Sequence, residues 1–210
     1  MTTVCPTVTA FDLHEYREQV ERVAPFATDL HIDLMDGEFA PTVSPKLDQI
    51  WWPHTIQVDI HLMYQKPMEH IEQLIKLNPR TVIIPAEADV HHMHFAGELH
   101  KENIQAGLAV LQDTSIEQLQ GILHSFDQIL IFSGSLGRHG GVANLKLLEK
   151  VRLVKELHPE AEIAWDGGID ARNAGKLVDG GVDVLNVGGY IQKSDNPQSA
   201  YDKLLAVIKQ

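Results

Sequence analysis

His31-Ile32-Asp33 and Asp59-Ile60-His61 each place an imidazole and a carboxylate two residues apart in a short apolar run. Asp166-Gly167-Gly168 follows a third such run, Ile163-Ala164-Trp165. In an extended strand alternate side chains share a face, so His31 points with Asp33 and Asp59 with His61, while Ile32, Leu34, Ile60 and Leu62 take the other side. Two neutral imidazoles, His31 and His61, and two carboxylates, Asp33 and Asp166, form a donor set that neutralises a divalent cation and suits Zn, Mn, Fe or Co. A single His or Asp at a strand end is most often just a hydrogen-bonded polar group; four at matching strand ends point to a shared metal site. Asp59, one pleat deeper than His61, is either a partner that orients an imidazole or a structural group of the interior.

Such a centre exists only if the strands carrying these residues converge. Apolar runs rich in Val and Ile recur eight times, at Val4 to Val8, Leu30 to Leu34, Ile56 to Ile60, Val82 to Ile84, Ala106 to Val110, Ile129 to Phe132, Ile163 to Trp165 and Val182 to Val187. Stretches of helical periodicity lie between them, as in Leu145, Leu148, Val151, Val154 and Leu157 behind the N-cap Asn144. Asp12 with Glu15 reads as a capping box, and Asp170 and Asn196 are placed to cap later helices. The spacing predicts a (β/α)8 TIM barrel formed by a single domain over residues 1–210. An open doubly wound sheet is disfavoured, because its Gly-rich turn after strand one is replaced by Thr7-Val8-Thr9-Ala10.

Barrel enzymes gather their chemistry at the C-terminal ends of the strands, which is where His31, Asp33, His61 and Asp166 are expected to share one pocket. The pairs Gly167-Gly168 and Gly188-Gly189 follow the last two strands, where backbone N–H groups and a helix start commonly cradle a phosphate.

The 210 residues are 44% hydrophobic and carry a formal net charge of -12, which argues against a nucleic-acid or anionic-membrane partner and requires a local positive site for any small anion. No apolar run approaches the roughly 20 residues of a membrane span, and the first residues lack the pattern of a secretory signal. With one cysteine, Cys5, no internal disulfide can form, and a cytoplasmic location is expected.

Taken together, His31-Ile-Asp33-Leu-Met35-Asp36-Gly37, Val58-Asp59-Ile60-His61-Leu62-Met63, Trp165-Asp166-Gly167-Gly168-Ile169 and Val187-Gly188-Gly189 resemble the ribulose-phosphate 3-epimerase family. That resemblance implies a metal-dependent epimerase of a ketose phosphate, with His31, Asp33, His61 and Asp166 holding the metal. Asp33 and Asp166 would also be the two proton carriers, working through an enediolate that the metal stabilises. Met35 and Met63 would wall the site, Thr7 stands where the family carries a serine, and a homo-oligomer is implied. After strand six the family's Asn-Pro-Gly-Phe-Gly-Gly type of lid is replaced by Ser133-Gly134-Ser135-Leu136-Gly137-Arg138-His139-Gly140-Gly141. Gly137, Gly140 and Gly141 persist there. With Thr7, Gly167, Gly168, Gly188 and Gly189 they are the implied substrate and phosphate contacts, and Arg138 is a further candidate. The changed loop leaves a different sugar phosphate, or a non-catalytic ligand-binding role, as alternatives. The related decarboxylases use an Asp-x-Lys-x-x-Asp segment, and Asp33-Leu34-Met35-Asp36 lacks the lysine. His91-His92-Met93-His94 reads as a surface or lid-proximal helix, and Trp51-Trp52-Pro53 as packing against a helix end or a subunit contact.

Overall fold

Eight strands run β1 (Thr3–Thr9), β2 (Asp29–Met35), β3 (Gln57–Met63), β4 (Thr81–Pro85), β5 (Gln105–Val110), β6 (Gln128–Phe132), β7 (Glu162–Asp166) and β8 (Val184–Val187). All pair in parallel in chain order, and β8 returns to β1, so the sheet closes into the expected (β/α)8 barrel. The computed structural model describes residues 2–138 and 140–209, so His139 of the altered loop lies outside the described residues.

The helices are α1 (Leu13–Val23), α2 (Ile71–Leu77), α3 (His92–Lys101), α4 (Leu148–Leu157), α5 (Ala174–Asp179), α6 (Gly189–Gln192) and α7 (Pro197–Ile208). Strand and helix do not alternate throughout. Residues 36–56 cross from β2 to β3 without a helix, and Pro41, Pro45 and Pro53 explain why, since each removes a donor and restricts its predecessor. The β5 to β6 crossing holds only two 3-10 turns, Glu117–Leu119 and Leu123–Ser125.

The expected caps hold with two changes. Asp12 accepts the Glu15 N–H at 2.9 Å, while the Glu15 carboxylate turns back to the Phe11 N–H rather than to that of Asp12. Asn144 caps a 3-10 turn that leads into α4, and Asn196 accepts the Ser199 N–H at 2.9 Å to open α7. Asp170 is no helix cap: its carboxylate closes a turn on Arg172, and α5 begins only at Ala174 behind Asn173.

Burial follows the alternation of the strands. Ile32, Leu34, Ile60, Leu62, Ile163 and Trp165 pack outward against the helices, whereas Cys5, Ile83, Ala109, Leu130, Ala164 and Val184 fill the barrel interior. Cys5 is buried and free, as a packing role requires. Trp51 uses its backbone oxygen to accept the Tyr16 hydroxyl at 2.7 Å, and Trp52 packs on the core. The histidine run opens α3, with the His91 side chain accepting from the His94 N–H. No helix among the described residues is long and apolar enough to cross a membrane.

Candidate active site

Strand register brings the chemistry together. In the β2·β3 ladder Asp33 is level with His61 and Met35 with Met63; in the β1·β2 ladder Thr7 is level with His31 and Thr9 with Asp33. Asp166 is the last residue of β7, level with Phe132 on one side and Asn186 on the other. One donor atom from each of His31, Asp33, His61 and Asp166 lies within 4.8 Å of the others, and all four residues are buried. The sequence expectation placed all four at strand ends. Only Asp166 ends its strand: Asp33 and His61 stand level with each other two residues before the ends of β2 and β3, His31 lies one pleat deeper, and Asp33 and Asp166 line the cavity.

His31 is fully buried, and neither ring nitrogen has a hydrogen-bond partner. Its Nε2 is 3.3 Å from Asp33 Oδ1 but without hydrogen-bond alignment. Buried polar groups in native proteins are normally satisfied, so an orphan imidazole facing two carboxylates fits a ligand set for a cation. His61 Nδ1 lies 3.1 Å from Asp33 Oδ1 and 4.0 Å from Asp166 Oδ2. Asp33 is thus the group that orients His61. Asp59 is not: its carboxylate takes Arg80 Nε at 2.8 Å and Nη2 at 2.5 Å, and Arg80 Nη1 reaches Asp29 at 2.6 Å. Of its two sequence readings the structural one holds.

The two carboxyls have been driven apart in acidity. Burial alone would raise Asp33, but the flanking His31 and His61 outweigh it and hold the group well below the usual carboxylate range. Burial, reinforced by the charge of Asp33, pushes Asp166 up to about 7 against the pull of His31. Burial lowers His61; for His31 it is outweighed by Asp33 and Asp166, which raise it. Near neutral pH one carboxyl is ionised and the other is poised to hold a proton.

Above them opens a cavity of about 260 Å³. It is lined by Met35 and Met63 and by the seven glycines expected to contact substrate or phosphate: Gly137, Gly140, Gly141, Gly167, Gly168, Gly188 and Gly189. Gly167 and Gly168 have φ of +106° and +73°, and a Cβ would lie 2.3 Å from the Gly134 nitrogen or 2.1 Å from that of Ala143. Only glycine lets the turn after β7 pass under the loop after β6. Thr7 lines the cavity with its buried hydroxyl unpartnered, and exposed Arg138 stands at its rim.

Sequence reasoning missed Thr9, Asn186 and Lys193. The Thr9 hydroxyl donates to Asp33 Oδ2 at 2.7 Å; Asn186 is buried with Oδ1 unpartnered; Lys193 adds a second cation to the cavity wall. The alternation of Leu185, Asn186 and Val187 marked Asn186 as inward facing, but nothing local marked Thr9, whose role depends on the register between β1 and β2.

Comparison with known proteins agrees with the geometry. The sequence pattern described as the ribulose-phosphate 3 epimerase family matches residues 3–192. Ribulose-phosphate 3-epimerase of Helicobacter pylori (strain J99) is 31% identical over 209 residues, covering 96% of this chain and 95% of its own. That of Aquifex aeolicus is 28% identical over 217 residues, covering 99% and 97%. Among solved structures, KGPDC from Streptococcus mutans superposes with a TM-score of 0.74 at 14% identity, over 100% of this chain and 98% of that one. The 3-hexulose-6-phosphate synthase from Salmonella typhimurium gives 0.73 at 15%, over 100% and 99%. At such identities these two bear on the fold alone.

Proposed function

The chain belongs to the ribulose-phosphate 3-epimerase family, and on that premise we propose that it epimerises a ketose phosphate, with ribulose 5-phosphate as the first substrate to test. The observation that carries this reading is the convergence of His31, Asp33, His61 and Asp166, with ligand atoms within 4.8 Å of one another and both carboxyls on one cavity.

Epimerisation next to a carbonyl needs one group to take a proton from carbon and another to return a proton to the opposite face. Asp33, held by the Thr9 hydroxyl and His61, takes the proton from one face, and Asp166 returns one to the other. In the reverse direction the roles exchange. His31, Asp33, His61 and Asp166 would hold a divalent cation, Zn, Mn, Fe or Co, which when bound stabilises the negative charge that develops on the sugar oxygens. The glycine turns after β7 and β8, the Thr7 hydroxyl, Lys193 and Arg138 supply donors and positive charge for the phosphate, which answers how a chain of net charge -12 holds an anion. Met35, Met63 and Phe132 wall the reacting carbon from water. The resemblance also carries a homo-oligomer as the expected assembly, which a sizing measurement checks.

Metal analysis of the purified protein, followed by solvent deuterium incorporation into ribulose 5-phosphate and, separately, allulose 6-phosphate, tests the reading. A bound metal with incorporation into either supports it; a bound metal with incorporation into neither rejects it.

Metal binding should also be coupled to protons. Asp166 must be ionised to ligate, so below its value of about 7 a cation has to displace a proton, and apparent affinity should fall about tenfold per pH unit on the acid side. Calorimetric titration of the metal-free protein with Mn²⁺ in buffers of different ionisation heat should show about one proton or more released at pH 6 and far less at pH 8. No release at pH 6 would take Asp166 out of the ligand set.

A further inference from the structure

The loop between β6 and α4 crosses the mouth of the cavity and is tied down at both its tip and its base. At the tip, Leu136 packs against both the apolar cluster that contains Met35 and Met63 and the one that contains Phe132, and the Thr42 hydroxyl lies 3.3 Å from the Gly137 carbonyl. At the base a single side-chain amide joins the two ends. Gln112 Nε2 donates to the carbonyls of Ser133 and Gly134, each at 3.2 Å, where the loop leaves β6; Gln112 Oε1 accepts Asn144 Nδ2 at 3.1 Å, where the loop ends. The Asn144 N–H donates to Ser133 Oγ at 2.7 Å and completes the ring.

The amide has one usable orientation. Two carbonyls on one side demand its NH2 group, and the Asn144 donor on the other demands its oxygen. The anchor behind Gln112 is itself rigid, because Lys150 Nζ donates to the carbonyls of Leu111, Gln112 and Thr114 at 2.6, 2.8 and 2.6 Å. Glu87 accepts both the Leu111 N–H and the Thr114 hydroxyl. Gln112 does not line the cavity, so its influence on a ligand passes through the loop it holds.

We propose that Gln112 is a positioning residue: by clasping both ends of the loop after β6 it holds Gly137, Arg138, Gly140 and Gly141 over the cavity, and so raises the affinity for the sugar phosphate. The effect on substrate rests on the function proposed above; the effect on the loop does not.

Gln112→Leu removes all three bonds while keeping apolar bulk. Asn144→Asp keeps an oxygen for the Lys146 N–H but sets another against Gln112 Oε1, and turning the glutamine over would face that oxygen at the Ser133 and Gly134 carbonyls. A neutral hydrogen bond shifts an equilibrium by roughly fivefold, so with water replacing part of the loss about a tenfold opening of the loop is expected. The readouts are tryptic cleavage after the exposed Arg138, with and without ribulose 5-phosphate, and a split of KM from kcat, all on the metal-loaded protein. Both variants should be cut about tenfold faster at Arg138 and no faster elsewhere. KM should rise about tenfold with kcat within about threefold, since the populated fraction of the competent loop sets apparent affinity. Unchanged cleavage in a folded variant overturns the clasp, and faster cleavage with unchanged KM overturns its role over the cavity. Faster cleavage in a protein whose wild type epimerises nothing keeps the clasp and rejects the proposed function.

Discussion

Asp166→Asn should cost about 10³-fold or more in epimerase turnover while the protein stays folded. The substitution keeps shape and a possible ligand oxygen but removes a proton that no neighbour can supply, and a positioned acid or base is worth roughly 10²- to 10⁴-fold. Asp166 suits the role because burial and the Asp33 charge bring it, in the metal-free protein, to about 7, where it both gives and takes a proton readily. Asp33→Asn should lose as much turnover but also loosen His61, whose Nδ1 it holds at 3.1 Å, and so weaken metal binding more. The measurement is kcat alongside metal content and thermal midpoint. An Asp166→Asn protein with metal bound and turnover within tenfold of wild type would remove Asp166 from proton transfer.

Much of this was legible in the chain because the signals were local. Period-two alternation put His31 with Asp33 and Asp59 with His61 before any strand had a neighbour, and eight apolar runs at βα spacing left few folds to choose between. The residues that escaped notice are those whose meaning comes from a partner far away in sequence. Thr9 matters because β1 lies level with β2 at Asp33, and Gln112 because the end of β5 meets both ends of the loop after β6. Asp59 shows the limit of alternation. Facing inward with His61, it qualified equally as a metal helper and as an interior group, and only Arg80, contributed from just before β4, decides between them.

That ion pair carries the second large effect, on stability rather than activity. Asp59 is 1% exposed and its side chain meets two guanidinium nitrogens, while Arg80 bridges onward to Asp29. Desolvating such a pair absorbs much of its attraction, so the intact bridge adds little net stability; losing one member leaves a buried charge unpaired, typically at about 3–5 kcal/mol. Arg80→Met should fall toward about 3 kcal/mol, since the arginine side chain is 25% exposed and water can reach the gap. For a chain of this size that is a drop of roughly 6–12 °C in thermal midpoint. Adding Asp59→Leu to Arg80→Met should recover most of it, because the uncompensated charge is then gone. Arg80 stands just before β4, at the end of the barrel that in folds of this kind serves stability, and Asp59, although level with His31, does not line the cavity, so kcat of the folded fraction of Arg80→Met should stay within about twofold of wild type. A single Arg80→Met variant that melts with wild type would show that Asp59 finds another partner. One that melts early and also loses kcat in its folded fraction would show that the floor of the barrel holds the register on which Asp33 and His61 depend.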